Sequence, residues 1–374
     1  MLENNIDIRD ITAVNPILCT IPFNQVLVDE LGNVNLCCGS HIKNMSPVAG
    51  NLFSEDAKRI WNNEVYKTFR QSFTDGSLRY CNEKSCSALA NKQSPEARLL
   101  LHTLEEIRCD EHLSKSNYSS FSDSPDTFDG TLTGMPTRLY LGIDPSCNLK
   151  CPSCRDALFI DKSGTERLDT LYGNLRSITP GIEFLELDGS GDVFASKWYN
   201  KFLRDFPVSD FPNLKEIKFR SNAVLWNRKN WYRIHPTFRA KKIHACISID
   251  AATESTYEVV RGDSFQTLME NMYFVRELLE NGELESISIV MIYRKSNYHE
   301  IPVFIQLGKE LKADTIIINP LQAWAQSAYS INGTFEDEAI HHPSHPEHHR
   351  LKQLIDENNI RYGNDGDTFI DFAW

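Results

Sequence analysis

The chain of 374 residues has no unbroken apolar run of about 18 residues, the least a membrane-spanning helix needs. Its opening, MLENNIDIRDITAVNP, is polar and acidic. It lacks the basic start and apolar stretch of a secretory signal. A soluble, cytoplasmic protein with no membrane partner is expected. Positive charge is also scarce: 39 Lys and Arg face 51 Asp and Glu, leaving a net charge of -12. That excludes nucleic acid as the main partner, because phosphate binding draws on clustered Lys and Arg. No repeat of solenoid period is present, and no cysteine follows Cys246.

What the chain does have is ten cysteines, and they are not scattered. Cys19, Cys37, Cys38, Cys81 and Cys86 lie near the start, Cys147, Cys151 and Cys154 form a tight group, and Cys109 and Cys246 stand alone. In a reducing compartment such groups indicate metal binding or catalysis more than disulfides. Cys109 falls in a helical stretch and Cys246 in an apolar strand, so both are expected to be bystanders.

Composition and periodicity divide the chain. Residues 1–114 form a small α+β cysteine-rich region, and residues 115–135, rich in Ser, Asp, Thr and Gly, read as a linker. Residues 136–325 alternate β-rich runs with amphipathic stretches, and residues 326–374 form a C-terminal extension. The β-rich runs are 137–144, 182–189, 214–221, 242–250, 286–293 and 314–320. Strand–helix–strand alternation of this kind predicts an α/β fold with a parallel sheet, either an incomplete barrel or an open curved sheet. Its site is expected at the C-terminal ends of the strands. The tract HHPSHPEHH (341–349) reads as a solvated loop.

The segment DPSCNLKCPSCRD (144–156) follows the first of these runs and spaces Cys147, Cys151 and Cys154 as C-x3-C-x2-C. A structural zinc site takes four ligands, and no fourth Cys or His lies nearby in sequence. A [4Fe–4S] cube held by three cysteines keeps one iron open to a small molecule. A zinc knuckle or a redox thiol set is the blander alternative.

The spacing, placed at the end of the first strand of a βα series, resembles the radical S-adenosylmethionine (radical SAM) family. The resemblance implies a partial (β/α)6 barrel whose cluster on Cys147, Cys151 and Cys154 binds SAM at its open iron. It extends to LDGSGDVFAS (187–196), similar to the family's glycine-rich stretch at the SAM amino group, with Gly189, Ser190, Gly191 and Asp192. Asp192 stands where a Glu is more usual, and Ser153 where an aromatic residue often precedes the last cysteine. RSNAVLW (220–226) implies a SAM contact from Asn222, and SIDAATESTYEVVRGDSF (248–265) implies Ser248 and Asp250 near the ribose and Arg261 near the carboxylate.

Residues 17–90 read as a strand pair turning at Gly32–Asn33, a helix capped by Ser54, and a C-x4-C loop. Their pattern of GNVNLC, GNL (50–52), IWN (60–62), Arg70, Cys81 and Cys86 resembles the SPASM auxiliary-cluster domain. This implies a second [4Fe–4S] cluster on Cys19, Cys37, Cys81 and Cys86, with Cys38 the alternate for Cys37. A four-cysteine zinc site is the alternative.

The family chemistry implied is reductive cleavage of SAM to a 5'-deoxyadenosyl radical that takes a hydrogen atom from the substrate. An electron donor of flavodoxin or ferredoxin type is implied with it. SPASM-bearing relatives often modify peptides, so a ribosomally made peptide is the first expectation. Dehydrogenation or epimerisation of a sugar or small metabolite is the second, and a non-catalytic metal-binding scaffold the third.

Overall fold

The structure is a computed structural model. It describes residues 17–74, 76–90, 97, 100–109, 117–118, 121, 127–163, 165–187, 191–323 and 334–373. The chain divides into two compact units. One comprises Met1–Ile143, Thr165–Glu186 and Pro207–Lys215, and the other Asp144–Gly164, Leu187–Phe206 and Glu216–Trp374.

The first unit holds β1 (Ile17–Cys19), β2 (Gln25–Val28), β3 (Asn33–Asn35), β4 (Val48–Asn51), α1 (Ala57–Trp61), α2 (Glu64–Thr74), β5 (Leu101–Thr103), β6 (Arg138–Leu141), α3 (Glu166–Leu175) and β7 (Phe184–Leu187). β2, β3 and β4 form an antiparallel meander, and β2 runs parallel to β6. The Asp29 carboxylate makes the first turn by accepting from the backbone N–H of Leu31 and Asn33 at 3.0 and 2.9 Å. Gly50 lets β4 approach α1 closely, since a Cβ there would sit 2.8 Å from Ile60 Cγ1.

The expected single helix is two, and Asp56 rather than Ser54 is the cap: its carboxylate accepts from Lys58 N at 2.9 Å. The break falls at Asn62 and Asn63, whose side chains compete with the helical ladder. Asn62 Nδ2 donates to Leu132 O at 2.7 Å, and Asn63 Oδ1 accepts from Tyr66 N at 3.1 Å to start α2.

The second unit holds α4 (Lys197–Arg204), β8 (Glu216–Ser221), β9 (Lys242–Ser248), α5 (Glu254–Arg261), α6 (Phe265–Glu280), β10 (Ser286–Tyr293), α7 (Ile301–Glu310), β11 (Thr315–Pro320), α8 (His348–Glu357), β12 (Gly363–Asp365) and β13 (Thr368–Phe372). Strands β8, β9, β10 and β11 are sequential neighbours and parallel. Their starts are stitched in order: Glu285 N–H donates to Ile243 O, and Asp314 N–H to Ile287 O, both at 2.8 Å. Ile287, Ile289 and Met291 of β10 and Ile316 and Ile318 of β11 are fully buried. Each such side chain contributes roughly 1.5–3 kcal/mol of transfer free energy.

All six strand runs expected from the sequence are strands, and the fold class is α/β as read. The tail adds two strands that the sequence reading did not foresee, β13, parallel to β11, and β12, antiparallel to β13. The alternation in TFIDF (368–372) was the available signal. The His tract is only partly solvated. His345 is buried, with Nε2 3.1 Å from Asp337 O and Nδ1 accepting from Glu347 N at 3.1 Å. No helix among the described residues is long and apolar enough to cross a membrane.

Arg70 of α2 links the Ile60-Trp61-Asn62 stretch to the rest of the first unit. It is fully buried. Its guanidinium lies 4.3 Å from the Trp61 ring and 4.7 Å from the Tyr66 ring. Nε donates to Pro22 O at 2.8 Å, and Nη1 to Asn62 Oδ1 and Gly130 O at 3.0 and 3.1 Å. One cation thus ties four segments through charge-assisted hydrogen bonds and aromatic faces. Arg70→Ala strands those acceptors in a dry core and is expected to cost about 3 kcal/mol. Chemical denaturation of the first unit's transition measures it, and a loss below about 1 kcal/mol would contradict this role.

Candidate active site

In the second unit the three-cysteine segment is a loop closed on itself. Asp144 anchors it: Oδ1 accepts from Ser146 N at 2.9 Å and Oδ2 from Ser196 Oγ, the hydroxyl that also caps α4. Cys147 N–H donates to Phe159 O at 2.7 Å, Asp161 N–H to Ser146 Oγ at 2.8 Å, and Cys154 N–H to Cys151 O at 2.8 Å. Cys147 and Cys151 are buried, while Cys154 is exposed.

Donors from the loop, the end of β8 and the end of α5 meet the buried sulfurs. Leu149 N–H donates to Cys147 Sγ at 3.4 Å and Asn222 Nδ2 to the same sulfur at 3.7 Å. Arg261 Nη1 donates to Cys151 Sγ at 3.5 Å. Burial nonetheless pushes the Cys147 thiol up to about 11, with Asp192 and Cys151 adding to the rise against Leu149 N and Arg155. A bound cation reverses that balance by stabilising the thiolate.

Around the loop, Gly191 passes so close that a Cβ would lie 2.2 Å from Ser146 O. Asp192 faces inward. Its N–H donates to Ser146 O at 2.7 Å, and its carboxylate accepts from Phe194 N, Ser221 Oγ and Asn222 N at 2.9, 2.7 and 2.8 Å. Burial still holds the Asp192 carboxyl above its ordinary value. Asn222 Nδ2 also donates to Asn148 Oδ1 at 3.0 Å. Ser248 ends β9 half-buried.

Asp250 sits beyond β9 at a φ of 65°, a strained value for a residue with a side chain. It is held there by Ile292 N donating to Oδ1 at 2.7 Å and Asn297 Nδ2 donating to its carbonyl at 2.8 Å. Oδ2 takes Arg261 Nε at 3.1 Å and Arg294 Nη2 at 3.2 Å. Burial works against the Arg261 charge, and Asp250 and Cys151 outweigh it, keeping the guanidinium above its ordinary range.

The structure therefore brings Cys147, Cys151, Asp192, Asn222, Asp250 and Arg261 into one connected neighbourhood, with Gly191 against the loop. Gly189 and Ser190 lie outside the described residues. Sequence reading missed Asp144, Ser196 and Arg294. Asp144 closes the first β-rich run and Ser196 opens a helix, which were their only marks.

In the first unit, Cys19, Cys37, Cys38, Cys81 and Cys86 line one cavity with His41. Cys37 Sγ is 3.8 Å from His41 Nδ1. Two segments are zipped at its wall: Lys43 N–H donates to Tyr80 O at 2.9 Å, and Asn82 N–H to His41 O at 2.8 Å. The Cys37 thiol is pushed well up by the Cys38 side chain, by burial and by Cys19. Burial and Cys86 push Cys81 up to about 12. Crowded thiols that disfavour each other's charge are what a multivalent metal centre relieves.

Residues 19–87 match the family model SPASM, described as an iron–sulfur cluster-binding domain. This segment resembles that domain. A curated relative, PqqA peptide cyclase of Bradyrhizobium diazoefficiens, is 26% identical over 198 residues, covering 51% of this chain and 49% of its own. The chain thus spans about half the length of the curated relative it matches. Streptococcus suis SuiB bound to its precursor peptide SuiA overlays with a TM-score of 0.40 at 11% identity, over 95% of this chain and 72% of that one. Escherichia coli HemN, described as a radical SAM enzyme, gives 0.39 at 12% identity, over 59% and 52%.

Both sites fit iron–sulfur clusters by donor chemistry. Among the described residues no three His, Cys, Asp or Glu side chains already form a metal-holding group. The fit is carried by thiols sharing one loop or one cavity and by N–H donors at the sulfurs, the features that bind and tune such clusters. Cys109 is exposed, on the helix Leu104–Cys109, and Cys246 is buried in β9.

Gly191→Ala drives a methyl into Ser146 O and must displace the cysteine loop. If the loop holds one of two clusters, the reconstituted variant is expected to lose about half its iron. Iron per chain, measured against wild type, reads the outcome. Unchanged iron would mean the loop does not depend on this approach.

Proposed function

We propose that this chain is a radical SAM enzyme that modifies a peptide. The observation that carries the reading is the three-cysteine loop, whose two buried sulfurs take donors from Leu149, Asn222 and Arg261. Cys147, Cys151 and Cys154 would hold a [4Fe–4S] cluster. When bound, it supplies one electron to the sulfonium of SAM, giving methionine and a 5'-deoxyadenosyl radical that abstracts a substrate hydrogen atom.

The chain's own residues do the rest. Arg261 presents a cation beside Cys151 that would receive the SAM carboxylate, and Asp250 holds that arginine in place. Asp192 fixes Ser221 and Asn222, so Asn222 keeps its amide on Cys147. Gly191, by its close approach, opens backbone to the ligand, and Ser248 ends the strand beside it. Gly189 and Ser190 complete the SAM-binding set.

In the SPASM domain, Cys19, Cys37, Cys81 and Cys86 would hold a second [4Fe–4S] cluster, with Cys38 the alternate for Cys37. A peptide substrate is supported by the likeness to a peptide cyclase over half of this chain. A one-electron donor of flavodoxin or ferredoxin type and a reducing, cytoplasmic setting complete the proposal.

Anaerobic reconstitution followed by dithionite and SAM should yield 5'-deoxyadenosine. Cys151→Ala is expected to abolish it, and Cys81→Ala to leave it measurable while product formation on a peptide falls. Tetrahedral zinc in the three-cysteine loop, with a protein side chain as its last ligand, would overturn the reading.

A further inference from the structure

Arg294, the residue after β10, belongs to none of the segments that resemble the radical SAM family. It is fully buried. Its single side-chain hydrogen bond among the described residues runs from Nη2 to Asp250 Oδ2 at 3.2 Å, and its Nε and Nη1 are buried without a partner. The same carboxylate oxygen takes Arg261 Nε at 3.1 Å. Two guanidiniums therefore share one carboxylate in a dry site.

The charge count decides what this does. Asp250 with Arg261 alone is a neutral pair, and a neutral pair holds an incoming anion weakly. Adding Arg294 leaves a surplus positive charge, because a guanidinium stays protonated. The other buried carboxylate facing Arg294 is Glu338. It is engaged elsewhere, accepting from Ser296 N and Oγ at 3.1 and 2.9 Å, while Lys295 beside it pairs with Glu347 at 2.9 Å. The surplus reaches the cysteine loop through Arg261, whose Nη1 touches Cys151 Sγ at 3.5 Å.

We propose that Arg294 is a positioning residue that acts through Asp250. It keeps Arg261 aimed at Cys151 and keeps the pair cationic, so that a carboxylate-bearing ligand binds beside the loop and electron density at the loop's cluster is stabilised. The role rests on reading the loop as a SAM site.

The test uses the full-length, reconstituted protein. SAM affinity and midpoint potential are read from the cluster signal that changes on SAM addition. Arg294→Gln should fold, load iron normally, bind SAM about tenfold more weakly and shift that potential negative, because a positive charge has been removed. Arg294→Lys should recover most of both. Asp250→Asn removes the shared anion and should shift the potential the other way, which keeps the idea testable if Arg294→Gln fails to fold. Unchanged affinity and potential in a folded Arg294→Gln protein, or a shift of the same sign in Asp250→Asn, would overturn the proposal. Wild-type protein that loads iron in the loop but ignores SAM would instead sink the functional reading, and this role with it.

Discussion

Sulfur next to buried charge is the constraint on which both sites depend. A thiolate removed from water is costly unless a cation or hydrogen-bond donors reach it. In the second unit three donors reach the buried sulfurs: a backbone N–H from Leu149, an amide from Asn222 and a guanidinium from Arg261. None of the three is free to drift. Asn222 is fixed by the Asp192 carboxylate at its own N–H, and Arg261 by Asp250. The carboxylates thus act at one remove, holding the groups that face the sulfur.

That arrangement explains why Asp192 and Asp250 tolerate burial. A buried carboxylate is strongly disfavoured unless its lone pairs are filled. Asp192 fills them with Ser221, Asn222 and Phe194, and Asp250 with Ile292 and two arginines. The left-handed backbone at Asp250 is a further cost, and it persists because four neighbours fix the residue from different directions. Strain of this kind belongs at sites where position matters more than stability.

The strands were legible in the sequence because each buried run is short, carries alternating or continuous apolar residues and is bounded by turn signals. IEFLELDG, KIHACISID and SISIVMIY need no tertiary knowledge to be read as strands. The cysteines were legible for the same local reason, their spacing. What escaped reading depended on contacts distant in sequence. Asp192 is named by its glycine-rich stretch, but only the fold shows that Ser221 and Asn222 claim its carboxylate. Arg294 looks like a surface cation after an apolar run, until Asp250 is found 44 positions earlier. The break between α1 and α2 was hidden because apolar spacing runs straight through it, while the Asn62 and Asn63 side chains decide the backbone.

The two units handle buried cations differently, and the difference follows from what each arginine must do. Arg70 is enclosed by carbonyl oxygens, an amide oxygen and two ring faces, with no carboxylate among its hydrogen-bond partners. Its Nε and Nη1 donors tie segments together. Burial drags its pKa down to about 9 with little to oppose it. Arg261 instead keeps a carboxylate at Nε and a sulfur at Nη1, and the nearby anions raise its pKa rather than lower it. A guanidinium enclosed by neutral acceptors is a brace. One paired with a shared anion holds its charge beside a sulfur. The same side chain meets different electrostatics in the two units because the neighbouring acceptors differ in charge, and that difference is set by which residues follow β9 and β10.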